Sequence, residues 1–141
     1  MDELQRRRTD KHSRKDVTMI PKIRAWDKEN KVMYNVRQID FRGGEFRSSE
    51  NEWIKFGNVI FMQSTGLKDK NGVEIFEGDI VKPVSFASWI GVVKYSSENA
   101  AYILDDHNNE FIKNENVYLS QFNEGLEIKG NIYENPELME V

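Results

Sequence analysis

From residue 22 onward, polar and apolar positions alternate. Ile23 and Ala25 stand against Lys22 and Arg24, and Val32, Tyr34 and Val36 (or Met33) repeat the pattern after the polar run "DKENK" at 27–31. A period of two predicts strands, and a short polar run between two of them predicts a hairpin. Pro21 suits a strand start, where a missing N–H costs little. Residues 37–52 alternate loosely through Ile39 and Phe41, break at Gly43-Gly44 and then turn polar, which predicts a loop or hairpin turn. "EWIKFGNVIFMQS" (52–64) fits either a strand broken at Gly57-Asn58 or a short helical turn followed by a buried strand, and it is too short for periodicity to choose.

The stretch "GLKDKNGVEIFEGDIV" (66–81) sets turn chemistry around two short apolar runs. Asn71-Gly72 accepts the positive φ of a tight reversal, Val73 and Ile75 make a short strand, and Gly78 is the candidate positive-φ residue of a second reversal. Asp79 beside it is expected to bond its own downstream amides. "IVKPV" then leaves as a new strand. Further on, "WIGVVKYSS" with a bend at Gly91, "AYILDD", "FIKN" and "LEIKGNIYENPEL" read as strands or strand ends, and "ENVYLSQF" as a single helical turn. Four or five strands within about forty residues, joined by short turns, is the spacing of a small barrel. No segment sustains a helical period, so the expected class is mainly β with little helix.

Composition narrows this picture. The chain has 141 residues, of which 38% are hydrophobic and 11% aromatic, enough for a core. It contains no cysteine, which removes disulfides, thiolate nucleophiles and cysteine zinc sites and fits a reducing compartment. The longest apolar runs fall far short of the ~20 residues that span a bilayer, and the N-terminus lacks the apolar core of a secretory signal. No membrane association and a cytoplasmic location are expected. Charge is uneven: residues 1–18 carry a net +2 within a whole-chain −4, which leaves −6 for residues 19–141. An acidic body disfavours broad attraction to a phosphate backbone. Phosphate contact would need the arm, where Arg6, Arg7, Arg8 and Lys15 are the candidate nucleic-acid residues.

The arm's polarity otherwise predicts a solvated tail. The codons of Lys15-Asp16 can read AAGGA, a ribosome-binding purine run at a usual distance before the Met19 codon. Met19 is therefore expected to be a native start, with residues 1–18 an upstream extension.

Three stretches carry a family resemblance: "IPKIRAWDKENKVMY" near the start, "MQSTGLKDKNGVEIFEGDIVK" in the middle and "EIKGNIYENPEL" at the end. In this order, over residues 19–141, they resemble the YopX family of phage and prophage proteins. The run Thr65 to Gly72 followed by Glu77-Gly78-Asp79-Ile80-Val81 is the most specific part. The resemblance implies an SH3-like small barrel in the C-terminal part with an N-terminal β-hairpin element packed beside it. The expected division is an arm at 1–18, an N-terminal β region at 19–66 and the barrel with its tail at 67–141. The family brings no reaction, cofactor or substrate, so it assigns no functional residue, and a fold does not supply one.

Catalytic and metal-binding patterns are thin. "DDHNNE" (105–110) is the densest set of oxygen and nitrogen ligands, but it lacks the mid-loop glycine of a calcium loop and reads as a hairpin tip, so no metal is expected. The two histidines, His12 and His107, stand near no nucleophile elbow, and "FRGGEF" lacks the ending of a phosphate-binding loop. Neither an enzyme nor a cofactor is expected. Phe86, Trp89, Tyr95 and Tyr102 are the candidate lining of a groove for a peptide or a base, against the plainer reading that they fill the barrel and its rim. The expected function is a non-catalytic binding module contacting a host or phage protein. The alternatives are a nucleic-acid-associated factor using the arm and the aromatics, and a self-assembling accessory protein that pairs through edge strands into a homo-oligomer.

Overall fold

The computed structural model describes residues 22–85, 89–105, 117–122 and 125–139. In one antiparallel sheet, β1 (Ile23–Asp27), β2 (Val32–Asp40), β3 (Glu45–Ser48), β4 (Trp53–Lys55), β5 (Val59–Lys68) and β6 (Glu74–Phe76) run in the order β4-β3-β2-β1-β5-β6. In a second, β7 (Asp79–Pro83), β8 (Gly91–Ser96), β9 (Ala101–Asp105), β10 (Val117–Tyr118) and β11 (Leu126–Asn131) run in the order β10-β9-β8-β7-β11. Helix is limited, among the described residues, to 3-10 turns at Leu119–Gln121 and Pro136–Met139, the first inside "ENVYLSQF". The protein is mainly β. The described pairings leave both sheets open, and none of its helices there is long and apolar enough to cross a membrane.

Local chemistry accounts for the reversals. In "DKENK", the Asp27 carboxylate accepts the Glu29 and Asn30 amides at 3.0 and 3.1 Å, which closes the β1–β2 hairpin. "EWIKFGNVIFMQS" takes the first of its two readings: it is strand β4, a turn at Phe56–Asn58, and strand β5. At Asn71-Gly72, the Asp69 carboxylate accepts the Asn71 and Val73 amides, both at 2.9 Å. Its other oxygen takes the Ile128 amide at 3.3 Å, and the Lys70 amide donates to the Leu126 carbonyl at 2.8 Å. This turn is thus fastened to the outer edge of β11.

At its centre, the first sheet is buried on both faces, with Ala25 and Trp26 of β1 alike covered. Ala25 pairs with Tyr34 and Phe61, and the buried Phe46 meets the rings of Tyr34 and Phe61 edge-on at 5.8 and 5.6 Å. On the other face Trp26 stacks on Tyr133 at 6.0 Å, and Met62, the partner of Arg24, is buried. The second sheet has its own core of Val81, Val93, Leu104, Leu119 and Leu126, and Ile75 of β6 joins it from the first sheet. β7 is buried almost continuously, Ile80 and Val81 alike, as a strand covered on both faces must be.

The Glu77-Gly78 reversal is where the sheets meet. Gly78 has φ +85, its amide donates to the Val93 carbonyl, and its carbonyl accepts the Ile132 amide, both at 2.9 Å. A Cβ there would lie 3.1 Å from the Tyr133 ring. Asp79 corrects its sequence reading. Its carboxylate reaches back, to the Phe76 amide at 2.8 Å and to Arg24 of β1 at 2.6 Å, so it closes the turn before it and ties the strand to the other sheet.

Candidate functional site

Two of the four aromatics expected to line a groove come together. Tyr95 of β8 and Tyr102 of β9 are cross-strand partners whose rings meet edge-on at 5.3 Å. Tyr102 is half-buried against the second core, and its hydroxyl lies 3.5 Å from the Ser64 carbonyl. Burial, and then the nearby Glu77, push its phenol above its ordinary range. Tyr95 is 51% exposed. Trp89 precedes the other end of β8 and is half-buried, its ring edge-on to Phe122 at 6.3 Å, so it does not continue the tyrosine pair. Phe86 lies outside the described residues, as do Arg6, Arg7, Arg8, Lys15 and both histidines. Of "DDHNNE" only Asp105 is described, at the end of β9, where its carboxylate takes the Lys94 ammonium.

Sequence reasoning missed the hollow beside Tyr95. A cleft of about 350 Å³ opens between the sheets, with Ile60 and Met62 of β5, Val92 of β8 and Tyr133 among its lining residues. Glu77, Lys94 and Tyr95 are at its margin. Neither charged group is idle: Glu77 accepts the Gln63 amide at 3.0 Å, and Lys94 is bound to Asp105. Burial raises the Tyr133 phenol pKa, with Glu77 adding to it and Arg24 opposing. The cleft therefore offers apolar surface and aromatic edges rather than a group poised to ionise. Its walls come from four separate stretches of chain between residues 60 and 133, which is why no local pattern announces it.

The buried charges nearby serve the fold. Arg24 donates to the Asp79 carboxylate at 2.6 Å and to the Glu77 carbonyl at 3.2 Å, and its guanidinium lies 4.8 Å above the Phe76 ring. Burial pushes the Asp79 carboxyl above the usual aspartate range, and the opposing pulls of Arg24 and the Phe76 amide do not reverse it. The one signal for the pair is an arginine within an apolar alternation and an aspartate after a turn glycine, 55 residues apart. Among the described residues, no three His, Asp or Glu side chains group as a metal site would.

The chain matches the YopX protein family over residues 22–140. It belongs to that family. Crystal structures place this YopX chain among known folds. It is 30% identical to protein EF1440 from Enterococcus faecalis, with 87% of this chain and 100% of that one covered and a TM-score of 0.59. Protein yopX from Bacillus subtilis is 17% identical, with 84% and 98% covered and a TM-score of 0.51, which shows likeness of fold. No curated protein matches. The family match takes in all three stretches whose resemblance was read from the sequence, apart from Ile20 and Pro21 at the start of the first.

Proposed function

We propose that this YopX protein is a non-catalytic docking module that contacts a protein of the bacterial host or of a phage in the cytoplasm, through the cleft between its sheets. The observation that carries this reading is Tyr95, half exposed at the mouth of an apolar hollow whose charged neighbours are already engaged. Such a site favours an apolar side chain from a partner, with the tyrosine edge covering it. The second sheet is read here as SH3-like. Its order β10-β9-β8-β7-β11, with a 3-10 turn between β10 and β11, supports that reading.

A photo-crosslinking residue at position 95, in protein mixed with host extract, tests the docking. The expected result is a discrete protein adduct that competes with unlabelled wild type and much less with Tyr95→Ser. Adducts that vanish on nuclease treatment would move the function to nucleic acid. A smear competed equally by both proteins would end the reading.

A further inference from the structure

A patch formed by β7, β11 and the Asn71-Gly72 turn carries a charge opposite to that of the chain. Lys82 of β7 and Glu127 of β11 are register partners, so their side chains leave the same face. Two other lysines have reached that carboxylate first. Lys129 lies 2.9 Å from one oxygen and Lys70, on the Asn71-Gly72 turn, 3.1 Å from the other. The bonds from Lys129 and then Lys70 hold the Glu127 carboxyl below its ordinary range. Lys82, directly opposite, is left with no ion pair or side-chain hydrogen bond among the described residues. With Pro83 and the exposed Val84, these four charged groups line a hollow of about 250 Å³. It holds three ammonium groups against one carboxylate, a local +2 on a chain of net −4.

We propose that this hollow binds an acidic peptide segment, with a Glu or Asp carboxylate on Lys82 and an adjoining apolar residue on Val84. Each ammonium has three donors, and Glu127 occupies one on Lys70 and one on Lys129, so donors remain for a second carboxylate. The −6 carried by residues 19–141 argues for a short ligand. A long phosphate backbone would run from this patch into repulsive field, whereas one or two carboxylates stay within a screening length of the lysines.

The inference rests on the docking reading only in taking the ligand to be a peptide, and it fails separately from the cleft. The full chain is titrated, by fluorescence anisotropy at low and high salt, with a labelled peptide of alternating glutamate and leucine. A labelled single-stranded oligonucleotide of equal charge is run beside it. The peptide should bind, weaken with salt, and lose about tenfold in affinity with Lys82→Glu, about threefold with Lys82→Gln, and nothing with Ile60→Glu in the cleft. Far-UV circular dichroism checks that each variant folds, and the glutamine variant carries the test should the reversal not. Absent peptide binding, or binding indifferent to both Lys82 variants, overturns the proposal. So does an oligonucleotide that binds more tightly than the peptide and depends on Lys82. Peptide binding lost in Ile60→Glu alone overturns the hollow while supporting the cleft.

Discussion

Asp69 and Gly78 are two residues on which the central turns depend. Asp69 is buried, which acts to raise its carboxyl pKa, yet the Val73, Ile128 and Asn71 amides together hold it below the ordinary 3.8. A carboxylate with a lowered folded pKa stabilises fully above the unfolded value, and that stabilisation disappears as pH falls through the folded one. Thermal melts in acid should therefore lose Tm more steeply below about pH 3.8 in wild type than in Asp69→Asn. The variant, which has no charge to lose, should be less stable at neutral pH. Equal slopes would remove Asp69 from the acid response. Gly78 combines positive φ with a ring 3.1 Å from where a Cβ would go. Gly78→Ala should lower the urea-unfolding free energy by about 1–3 kcal/mol. The glycine was legible, because "EGD" between apolar runs asks for positive φ. The aspartates' partners were not, since the Ile128 amide lies 59 residues from Asp69.

At the scale of elements, the sequence announced hairpins and turns but not which faces are covered. Alternation set Lys22 and Arg24 opposite Ile23 and Ala25, and because β1 sits mid-sheet with Arg24 turned to Asp79 of β7, the Arg24 side chain is only 12% exposed. Period two reveals that two faces differ, not that the polar one is wet. Removing one member of a buried pair strands the other's charge, so Arg24→Met should cost about 3–5 kcal/mol in urea melts. Adding Asp79→Asn should restore a large part of it, since neither charge then remains buried. A double variant as damaged as the single one would mean that packing around the guanidinium, over Phe76, matters more than the charge. The sequence also grouped Trp89 with Tyr95 and Tyr102 because they are near in the chain. A strand separates its ends, and β8 holds Trp89 against Phe122 while Tyr95 reaches the cleft.

Taken whole, the molecule has two sheets that share material. Ile75 belongs by pairing to the first sheet and by packing to the second core, Trp26 stacks on Tyr133, and Arg24 and Asp79 cross between them. Unfolding should therefore be one cooperative event: in urea, near-UV aromatic dichroism and far-UV dichroism should trace the same transition. Two separated transitions would mean that the sheets stand independently. The overall class could be read from the chain because turn residues and period two are local signals. Which strands meet across the cleft is a matter of tertiary packing.

The fastening of the Asn71-Gly72 turn has a last consequence. On β11, the Leu126 carbonyl and the Ile128 amide would otherwise form an open hydrogen-bonding ladder at the end of a sheet, and Lys70 and Asp69 already occupy those rungs. A stray strand arriving there, from a sister copy or from an unfolded neighbour, finds these two rungs taken. In a crowded cell, templated misassembly along that flank is opposed at these two positions by Asp69 and Lys70 of a distant loop.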